Sequence, residues 1–515
     1  MRPALPLTSS LVAGALATGP ALLVLVVARL VLGVPGVLEA VADGTLRYVP
    51  LPAFDAAIAA FGSGAKGGLA IGVALGAVVA GTLLAPVALA ATAGRSAMRA
   101  GLLAAGVALL VVELVVLPLA GAGLFGAQAS DPLALQLPVV VAAMAYGLTL
   151  AGIAAVELDA APVPDPSRRA VLRRGLLAFG GLSLAGAFGI VGWRAASAAR
   201  STASAPPPET PPGDPFGPTP ALTPVATFYT VSKNLGSPSV DGATWRLSVE
   251  GLVDRPFSLS LDEMRSMSSR EEDRTLMCIS YDILAGDRYI GNQRWRGFPV
   301  ADLLDRAGVR PEARFVLWRS ADDYTESLAL DVARDPGTWV VFEMDGRPLE
   351  ADHGFPARIL IPDRFGMKGP KWLTAIALSE TDEPGYWEQR GWDQQAREKI
   401  MSRIDLPQAG DTVPAGTTFP VTGIVFAGDR GVARVEVSAD GGETWTDARL
   451  EDASVAPLGP LTWVRFRAEV AAARPGRATV VVRATDGTGA LQVEEPSPPL
   501  PDGATGWQRL EVVAG

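Results

Sequence analysis

Thr275-Leu-Met-Cys-Ile-Ser280, followed by Gly291-Asn-Gln-Arg-Trp-Arg-Gly297, is the stretch around which this chain is organised. It contains Cys278, the one cysteine among 515 residues. A single thiol forms neither an internal disulfide nor a four-thiolate zinc or iron–sulfur site. Three roles stay open for it: a buried apolar residue, a catalytic nucleophile, or a soft ligand to a metal held mainly by other groups.

The neighbours of Cys278 favour a functional role. Its apolar segment lies between the charged run Arg270-Glu-Glu-Asp-Arg274 and the Gly- and Asp-containing segment Tyr281-Asp-Ile-Leu-Ala-Gly-Asp287. A strand end that delivers one side chain to a loop is typical of a loop-built site. We therefore expect a strand that ends near Cys278.

The same stretch resembles the sulfite oxidase family of molybdenum-pterin oxidoreductases. Members carry Thr-Leu-x-Cys and then Gly-Asn-x-x-Trp-x-Gly-x-x-Leu, and the second pattern appears here from Gly291 onward. In that family the cysteine thiolate is the one protein ligand to molybdenum, and a pterin dithiolene supplies the other sulfurs. The resemblance therefore implies a molybdenum-molybdopterin cofactor with Cys278 as its metal ligand.

A second block runs from His353-Gly-Phe-Pro-Ala-Arg358 to Arg364-Phe-Gly-Met-Lys-Gly-Pro-Lys-Trp372. An apolar strand is flanked there by one imidazole, by glycines, and by the basic group of Arg358, Lys368 and Lys371. Exposed backbone N–H groups and fixed positive charge suit a phosphate, although a solvated basic loop is equally compatible with the pattern. The resemblance implies contacts to the pterin and its terminal phosphate from His353, Arg358, Gly369, Pro370 and Lys371.

Two further segments resemble the family. Ser320-Ala-Asp-Asp-Tyr324 is similar to its Ser-Ala-Asp-Gly-Tyr segment, whose tyrosine points at the metal. Tyr324 is thus predicted to donate a hydrogen bond to a metal-bound oxygen, with a core tyrosine as the alternative, and Ser320 to contact the pterin. Phe228-Tyr-Thr-Val-Ser-Lys-Asn234 matches a cofactor-contacting segment and adds Tyr229 and Thr230.

The substrate pocket departs from the family pattern. Sulfite oxidases carry an Arg-Asn-His run near the start, where this chain has Val231-Ser-Lys, and Ala-Gly-Asn-Arg-Arg after the cysteine, where it has Ile279-Ser-Tyr. The sequence therefore does not reproduce the family's anion pocket. Lys233 or Arg288 could supply the missing positive charge.

Composition argues against several classes of partner and cofactor. The net charge of −10 and the pI near 4.9 argue against nucleic acid, because phosphate binding needs a basic surface. One histidine cannot supply a two-histidine haem or a three-histidine zinc site. No GxGxxG or Walker pattern opens a helix, so we expect no nucleotide, haem or Fe-S cofactor in this chain. We expect a separate redox partner, either a cytochrome or a quinone-linked membrane protein.

The first two hundred residues are apolar enough for a membrane domain. Five stretches reach the length of about 20 residues that spans a bilayer; they lie near 10–33, 67–91, 101–123, 133–156 and 175–193. Arginines concentrate in alternate loops, and by the positive-inside rule the N-terminus is cytoplasmic. We therefore expect a multi-pass protein of the cell (plasma) membrane with its catalytic domain outside the cytoplasm.

Two polar features of the membrane half have more than one interpretation. Ser167-Arg-Arg-Ala-Val-Leu-Arg-Arg174 resembles a twin-arginine export signal, but it is also compatible with a simple cytoplasmic stop-transfer cluster. Glu113 is an acid within a predicted span, where carboxylates are costly and often functional. A contact to a proton or a quinone is one possibility for it, and a hydrogen bond between helices is the other.

The predicted fold is multi-domain. Residues 1–194 form an all-α transmembrane bundle, 195–223 a linker rich in Pro, Ala and Ser, 224–404 an α+β molybdopterin domain, and 405–515 an all-β immunoglobulin-like sandwich. The last segment resembles the family's dimerisation domain, which implies a possible homodimer.

The sequence thus predicts an outward-facing oxidoreductase that moves an oxygen atom and two electrons to or from a small substrate. Sulfite-type oxidation is slightly favoured by the resemblance. The alternatives are reduction of a sulfoxide or another oxo-substrate, and a noncatalytic surface scaffold that keeps the fold without the metal.

Overall fold

A computed structural model describes residues 5–32, 36–45, 48–49, 53, 64–93, 95–127, 132–158, 166–202, 214–234, 237–238, 240–284, 289–452 and 458–515. The chain divides into two compact units. One comprises residues 1–202 with 232–239, and the other comprises residues 203–231 with 240–515.

The first unit is helical. Its helices are α1 (Leu7–Leu32), α2 (Val37–Thr45), α3 (Gly64–Ala91), α4 (Ala97–Val111), α5 (Pro132–Leu158) and α6 (Pro166–Thr202). Five of the described segments are long and apolar enough to cross a membrane: Leu7–Val31, Gly67–Ala91, Ala97–Leu119, Leu135–Glu157 and Ala170–Arg194. They coincide with the five predicted spans. Because α6 continues to Thr202, the start of the predicted linker is helical.

Small residues allow these helices to approach closely. A Cβ added to Gly101 of α4 would lie 2.3 Å from the Gly147 carbonyl oxygen of α5. The same holds between Gly19 of α1 and the Gly180 carbonyl of α6, at 2.4 Å. Contacts of this kind are typical of membrane helices, where backbone proximity and dispersion replace the hydrophobic effect.

Glu113 lies in a π-helical segment, Val112–Val116, that continues α4. Its Oε2 accepts a hydrogen bond of 2.9 Å from the Gln136 side chain of α5. The structure thus contains the hydrogen bond between helices that the sequence offered as one interpretation. The second carboxyl oxygen is buried and has no partner among the described residues.

The first part of the second unit is α+β. One sheet has the order β2-β1-β10-β5-β6, and another has the order β3-β4-β7-β8, with β9 also paired to β7. The strands are β1 (Arg246–Gly251), β2 (Phe257–Ser260), β3 (Arg270–Met277), β4 (Ile290–Pro299), β5 (Phe315–Ser320), β6 (Thr325–Ala329), β7 (Trp339–Met344), β8 (Arg347–Pro348), β9 (Arg358–Leu360) and β10 (Leu373–Ser379). The helices are α7 (Leu261–Ser266), α8 (Val300–Ala307) and α9 (Leu330–Arg334).

Local sequence signals explain the ends of these helices. Ser260 begins α7 with a capping box, in which its hydroxyl accepts from the Glu263 N–H and the Glu263 carboxylate accepts from the Ser260 N–H. Gly308 ends α8 in the left-handed region at φ 70°, a conformation that favours glycine at a helix end. Between the two sheets lies one apolar core that includes Leu247, Trp318, Val340 and Ile376.

The last part of the second unit is all β. Two sheets, with the orders β11-β13-β17-β16 and β12-β19-β18-β14-β15, share a core that includes Val421, Val437, Phe466 and Val482. The strands are β11 (Met401–Leu406), β12 (Thr412–Val413), β13 (Thr418–Phe426), β14 (Val432–Ser438), β15 (Thr446–Asp447), β16 (Arg449–Leu450), β17 (Val464–Ala471), β18 (Gly476–Asp486) and β19 (Arg509–Ala514). The immunoglobulin-like assignment stays a prediction.

Residues 214–223, part of the predicted linker, pack against both β regions of the second unit. The Asp214 carboxylate lies 2.6 Å from the Arg465 guanidinium, and Thr219 donates a 2.6 Å hydrogen bond to Asp405. The Ala221 carbonyl accepts a 2.7 Å bond from Asn292. Similarly, β11 starts at Met401 and belongs to the C-terminal sheet, so the boundary predicted after residue 404 falls inside a strand.

We expect Gly423→Ala to destabilise the C-terminal β region. A Cβ on Gly423 of β13 would lie 1.8 Å from the Arg403 carbonyl oxygen of β11, so the strands must separate. Overpacking of this kind costs about 1–3 kcal/mol or more. Denaturant unfolding of the full chain in detergent, followed by tryptophan fluorescence, measures the loss.

The matched control is Gly459→Ala, since nothing lies within 4 Å of a Cβ there. We expect it to change the unfolding free energy by no more than about 0.5 kcal/mol. Equal stability of the two variants would contradict the strand spacing described above.

Candidate functional site

Cys278 follows directly after β3, so a strand does end at the cysteine. Its backbone N–H donates to the Tyr289 carbonyl at 2.9 Å, which continues the pairing of Met277 with Ile290. The side chain is buried, and its Sγ lies 3.0 Å from the Ser280 Oγ. The strand therefore fixes the position of the thiol, and a short loop holds a hydroxyl against it.

Arg358 is a buried cation at the start of β9. Its Nη1 donates to the His353 carbonyl at 3.3 Å, and its guanidinium lies 5.5 Å from the centre of the Trp295 ring. Burial lowers the pKa of Arg358 to about 10, so the group keeps its charge at neutral pH. A positive charge is thus buried beside the aromatic ring of Trp295.

His353 is buried beside this charge. Its ring meets the edge of Phe228 at a centroid distance of 5.7 Å. Burial, and then the positive charges of Arg358 and Lys371, lower the pKa of His353 to about 4. The imidazole is therefore neutral near pH 7 and can offer one N–H donor and one acceptor nitrogen.

Tyr229 connects the thiol with this positive charge. Burial raises the pKa of Tyr229 well above 10; the neighbouring Cys278 adds to this rise, and Arg358 opposes it. Its ring stacks on Phe228 at 5.4 Å. The structure thus brings Cys278, Tyr229 and Arg358 together, whereas Thr230 is exposed.

The turn at Gly366–Lys368 leads into the second predicted cofactor segment. Gly369 packs so closely on β9 that a Cβ would lie 2.4 Å from the Ile359 carbonyl oxygen, and the Pro370 carbonyl accepts from the Ile359 N–H at 3.0 Å. Lys371 donates to the Asp352 carbonyl at 2.9 Å. Gly369, Pro370 and Lys371 therefore lie alongside the segment from His353 to Arg358.

Tyr324 and Ser320 face each other across the turn between β5 and β6. The Ser320 N–H donates to the Tyr324 carbonyl at 3.0 Å. The Tyr324 hydroxyl donates to the Met367 carbonyl at 2.7 Å, and it also lies 3.4 Å from Glu326 Oε2. To donate to a metal-bound oxygen, as predicted, this hydroxyl would have to turn away from Met367.

Two buried polar atoms of the predicted set have no partner among the described residues: Ser320 Oγ and Arg358 Nε. Both are donors, and buried donors without partners are rare in folded proteins. A hydroxyl and a guanidinium N–H suit the phosphate and the polar edge of a pterin. Among the described residues, no group of three or more His, Cys, Asp or Glu side chains is placed to hold a metal ion.

Comparison with known proteins agrees with this geometry. The family model "Oxidoreductase molybdopterin binding domain" matches residues 234–387, and "Mo-co oxidoreductase dimerisation domain" matches residues 394–500. The "Uncharacterized oxidoreductase YuiH" of Bacillus subtilis is 31% identical over 152 residues, which cover 30% of this chain and 74% of that protein. The chain belongs to the sulfite oxidase family of molybdenum-pterin oxidoreductases.

Two other members of the sulfite oxidase family differ in what their names report. "Sulfite oxidase, mitochondrial" of Rattus norvegicus is 31% identical over 289 residues, 47% of this chain and 52% of that protein. The "Putative protein-methionine-sulfoxide reductase subunit YedZ1" of Azospira oryzae is 32% identical over 154 residues, 30% of this chain and 56% of that protein. The chain spans about half the length of the rat relative.

The structure corrects the role assigned to Lys368. The sequence grouped it with Arg358 and Lys371 as either a phosphate site or a solvated basic loop, but its side chain is fully buried and paired with Glu326 and Glu388. Its charge is therefore neutralised within the protein. Arg288, offered as a substitute in the anion pocket of this family member, lies outside the described residues.

Glu326 and Glu388 were not identified from the sequence. One signal was present for Glu326, because residues two apart on a strand share a face and Glu326 follows Tyr324 by two. No local signal marks Glu388, which meets Lys368 only through the tertiary fold.

We expect the imidazole of His353 to titrate near pH 4. It is the single histidine, so isotope-labelled histidine gives one NMR signal in the full-length protein purified without a histidine tag. Since the pKa of 6.5 falls to about 4 on folding, the folded state binds fewer protons between these values. Stability should then decline as pH falls from 6.5 to 4, by at most about 3 kcal/mol.

Lys371→Gln is the control, because it removes one of the two positive charges that depress the pKa of His353. The titration should move upward in this variant. A wild-type titration near pH 6.5 would refute the buried, positively flanked imidazole.

Proposed function

We propose that this chain is a membrane-anchored, outward-facing molybdenum-cofactor-dependent oxidoreductase that transfers an oxygen atom and two electrons to or from a small substrate. The observation that carries the proposal is the grouping of the Cys278 thiol with Tyr229 and the buried Arg358 cation. A Cβ on Gly366 would lie 3.2 Å from the Tyr229 hydroxyl and 3.4 Å from the carbonyl oxygen of the residue before Cys278. The buried Arg358 guanidinium lies over Trp295 of the paired strand β4. This group of residues offers one thiolate for a metal. It also offers hydrogen-bond donors and a positive charge for an anionic cofactor.

The residues divide between metal and cofactor. Cys278 would supply the single protein thiolate, and the Ser280 hydroxyl at 3.0 Å could donate to it. The pterin and its phosphate would be held by Tyr229, Thr230, Ser320, His353, Arg358, Gly369, Pro370 and Lys371. When bound, the cofactor supplies the oxygen-atom and two-electron chemistry, while the protein controls orientation, charge and access.

Tyr324 is proposed to orient an oxygen ligand at this site. Its hydroxyl donates a hydrogen bond to the carbonyl of Met367, which belongs to the Gly366–Lys368 turn. A Cβ on Gly366 would lie 3.4 Å from the Met277 carbonyl oxygen, one residue before Cys278. The Gly366–Lys368 turn thus contacts both Tyr324 and the residue before Cys278, which supports a role for Tyr324 near the metal.

The reaction direction is proposed from relatives. Sulfite-type oxidation is favoured slightly, because the rat relative named as a sulfite oxidase aligns over 289 residues. Sulfoxide reduction is the second candidate, favoured by the relative named as a putative protein-methionine-sulfoxide reductase subunit. Assays of the full-length protein with sulfite and an electron acceptor, and with methionine sulfoxide and an electron donor, discriminate between them.

The helical unit is proposed to anchor the enzyme in the plasma membrane, with the N-terminus in the cytoplasm and the catalytic unit outside. The five apolar helices and the distribution of arginines support this orientation. Electrons would pass to a separate cytochrome or quinone-linked membrane protein. Sustained reduction of quinone by the purified protein alone would refute the need for that partner.

We expect Cys278→Ser to remove the thiolate character of the Mo(V) electron-resonance signal. Turnover should fall by more than the about 10- to 100-fold typical of losing an outer-shell partner, because a direct ligand is lost. The measurement is electron resonance of the reduced protein together with molybdenum and pterin content.

Met277→Leu is the matched control, since it conserves volume at the adjacent buried position and leaves the thiol in place. It should keep both signal and turnover. An unchanged signal in Cys278→Ser would refute the ligand assignment, and wild-type protein without molybdenum or pterin would favour a noncatalytic scaffold.

Reporter fusions test the proposed topology. A reporter that is active only in the cytoplasm should be active when it is fused after Arg95, between α3 and α4. A reporter that is active only after export should be active when it is fused after Gly515. The opposite pattern at these two positions would refute the orientation.

A further inference from the structure

A buried ionic cluster lies behind Tyr324. Lys368, on the Gly366–Lys368 turn, has no exposed side-chain surface. Its Nζ donates to Glu326 Oε1 at 2.6 Å, to the Ser327 carbonyl at 3.0 Å, and to Glu388 Oε1. One ammonium therefore faces two buried carboxyl groups.

Charge balance in this cluster calls for one shared proton. Lys368 can neutralise only one carboxylate, and two carboxylates in contact inside a protein do not both stay ionised at low cost. Burial raises the pKa of Glu326 to about 8; Lys368 opposes this rise, and the neighbouring Glu388, hydrogen-bonded to Glu326, adds to it. The proton belongs to the carboxyl pair. Both Glu388 oxygens accept hydrogen bonds, Oε1 from Lys368 and Oε2 from the Gly385 N–H at 2.8 Å, whereas Glu326 Oε2 has only the 3.4 Å contact with the Tyr324 donor among the described residues. This geometry favours Glu326 as the position of the proton.

Glu326 contacts Glu388 as well as Tyr324, and Oε2 is its oxygen without a close donor. Oε1 accepts from Lys368 and from the Ser327 N–H at 2.9 Å. Oε2 lies 3.4 Å from the Tyr324 hydroxyl oxygen, whose own hydrogen is donated to Met367. A proton on Oε2 would thus point at a free lone pair of Tyr324, with a shift of about 0.5 Å needed to reach ordinary O–H···O distance.

We propose that Glu326 holds the proton that Tyr324 exchanges with the cofactor site, and that Lys368 and Glu388 position and neutralise it. This inference rests on the proposed function. Transfer of an oxygen atom from water to a substrate releases two protons with two electrons, and the reverse reaction consumes them. Glu326 and Tyr324 form a route for one of these protons.

The transfer is a pure proton exchange. In the reductive direction the Tyr324 hydroxyl turns away from Met367 and releases its hydrogen toward the site, and the Oε2–H bond of Glu326 breaks as Tyr324 Oη gains that hydrogen. Tyr324 is neutral before and after, Glu326 becomes a carboxylate, and no electron moves along this route. In the oxidative direction the same bonds form and break in reverse.

Other charged groups nearby do not replace Glu326. Asp322 raises the pKa of Tyr324, after burial and Glu326, so it keeps the phenol protonated. Asp382 accepts a 2.5 Å bond from Ser327 Oγ rather than from Tyr324. Glu388 lies on the turn Glu388–Arg390, beside the exposed Gln389, and so offers a path by which the cluster can regain a proton from solvent.

The first test is infrared spectroscopy of the full-length protein, which does not depend on turnover. The wild-type minus Glu326→Gln difference spectrum should contain a protonated-carboxyl C=O band at pH 7 that vanishes with a midpoint near pH 8. The difference cancels bands from other buried carboxyl groups such as Glu398, whose pKa burial also raises. Glu436→Gln, which removes a carboxylate paired with Arg483 in the C-terminal sheet, should keep the band. A difference spectrum without this band at pH 7 would overturn the proposal.

Should Glu326→Gln not fold, Tyr324→Phe gives the same information. Loss of the hydroxyl that accepts from Glu326 weakens the hydrogen bond, so the band should persist and move to higher frequency. An unshifted band would refute the contact between the two residues.

The second test is the pH dependence of kcat. In the reductive direction the wild type should lose rate above about pH 8, because Glu326 is then ionised. Glu326→Gln should lose this step and turn over about 10²-fold more slowly with unchanged molybdenum content, whereas Glu436→Gln should match the wild type. A pH step that persists in Glu326→Gln would overturn the proton route. Absence of molybdenum and turnover in the wild type would instead refute the proposed function, and the infrared result would still decide the proton's position.

Discussion

The antiparallel pairing of β3 with β4 is the constraint on which the site depends. Its register places Thr275 opposite Asn292 and Met277 opposite Ile290, so the two halves of one sequence motif become two neighbouring strands. Because the pairing ends at Met277, the next residue, Cys278, leaves the sheet at a fixed point. The same strand β4 carries Trp295, whose ring lies beneath the Arg358 guanidinium.

Buried charge is the second constraint, and between the two β regions it is balanced by local pairing. Arg430 bonds the Asp363 carboxylate, Asp486 at 3.0 Å and the Glu398 carbonyl at 2.9 Å, and thereby ties the segment after β9 to the C-terminal β region. Asp363 lies just before the Gly366–Lys368 turn. The C-terminal β region therefore supports the turn that carries Lys368 and leads into the proposed pterin contacts. Its structural role thus extends beyond any dimer contact.

The two units of the chain are stabilised by different physics. In the helical unit, glycine and alanine permit close backbone contact, and polar groups such as Glu113 with Gln136 pair across helices. In the second unit, apolar cores between sheets provide the main driving force. This division agrees with the strong asymmetry of composition along the chain.

The sequence by itself determined the five apolar helices, most strands of the C-terminal region, the helix stop at Gly308 and the segments that meet around Cys278. These features depend on periodicity, turn residues and motifs, which are local. Only the tertiary structure decided that Lys368 is neutralised by Glu326 and Glu388, that the Tyr324 hydroxyl bonds Met367, and that residues 214–223 pack on the β regions. Those outcomes depend on contacts between residues 20 to 251 positions apart, and on the desolvation that such contacts impose, which no local pattern encodes.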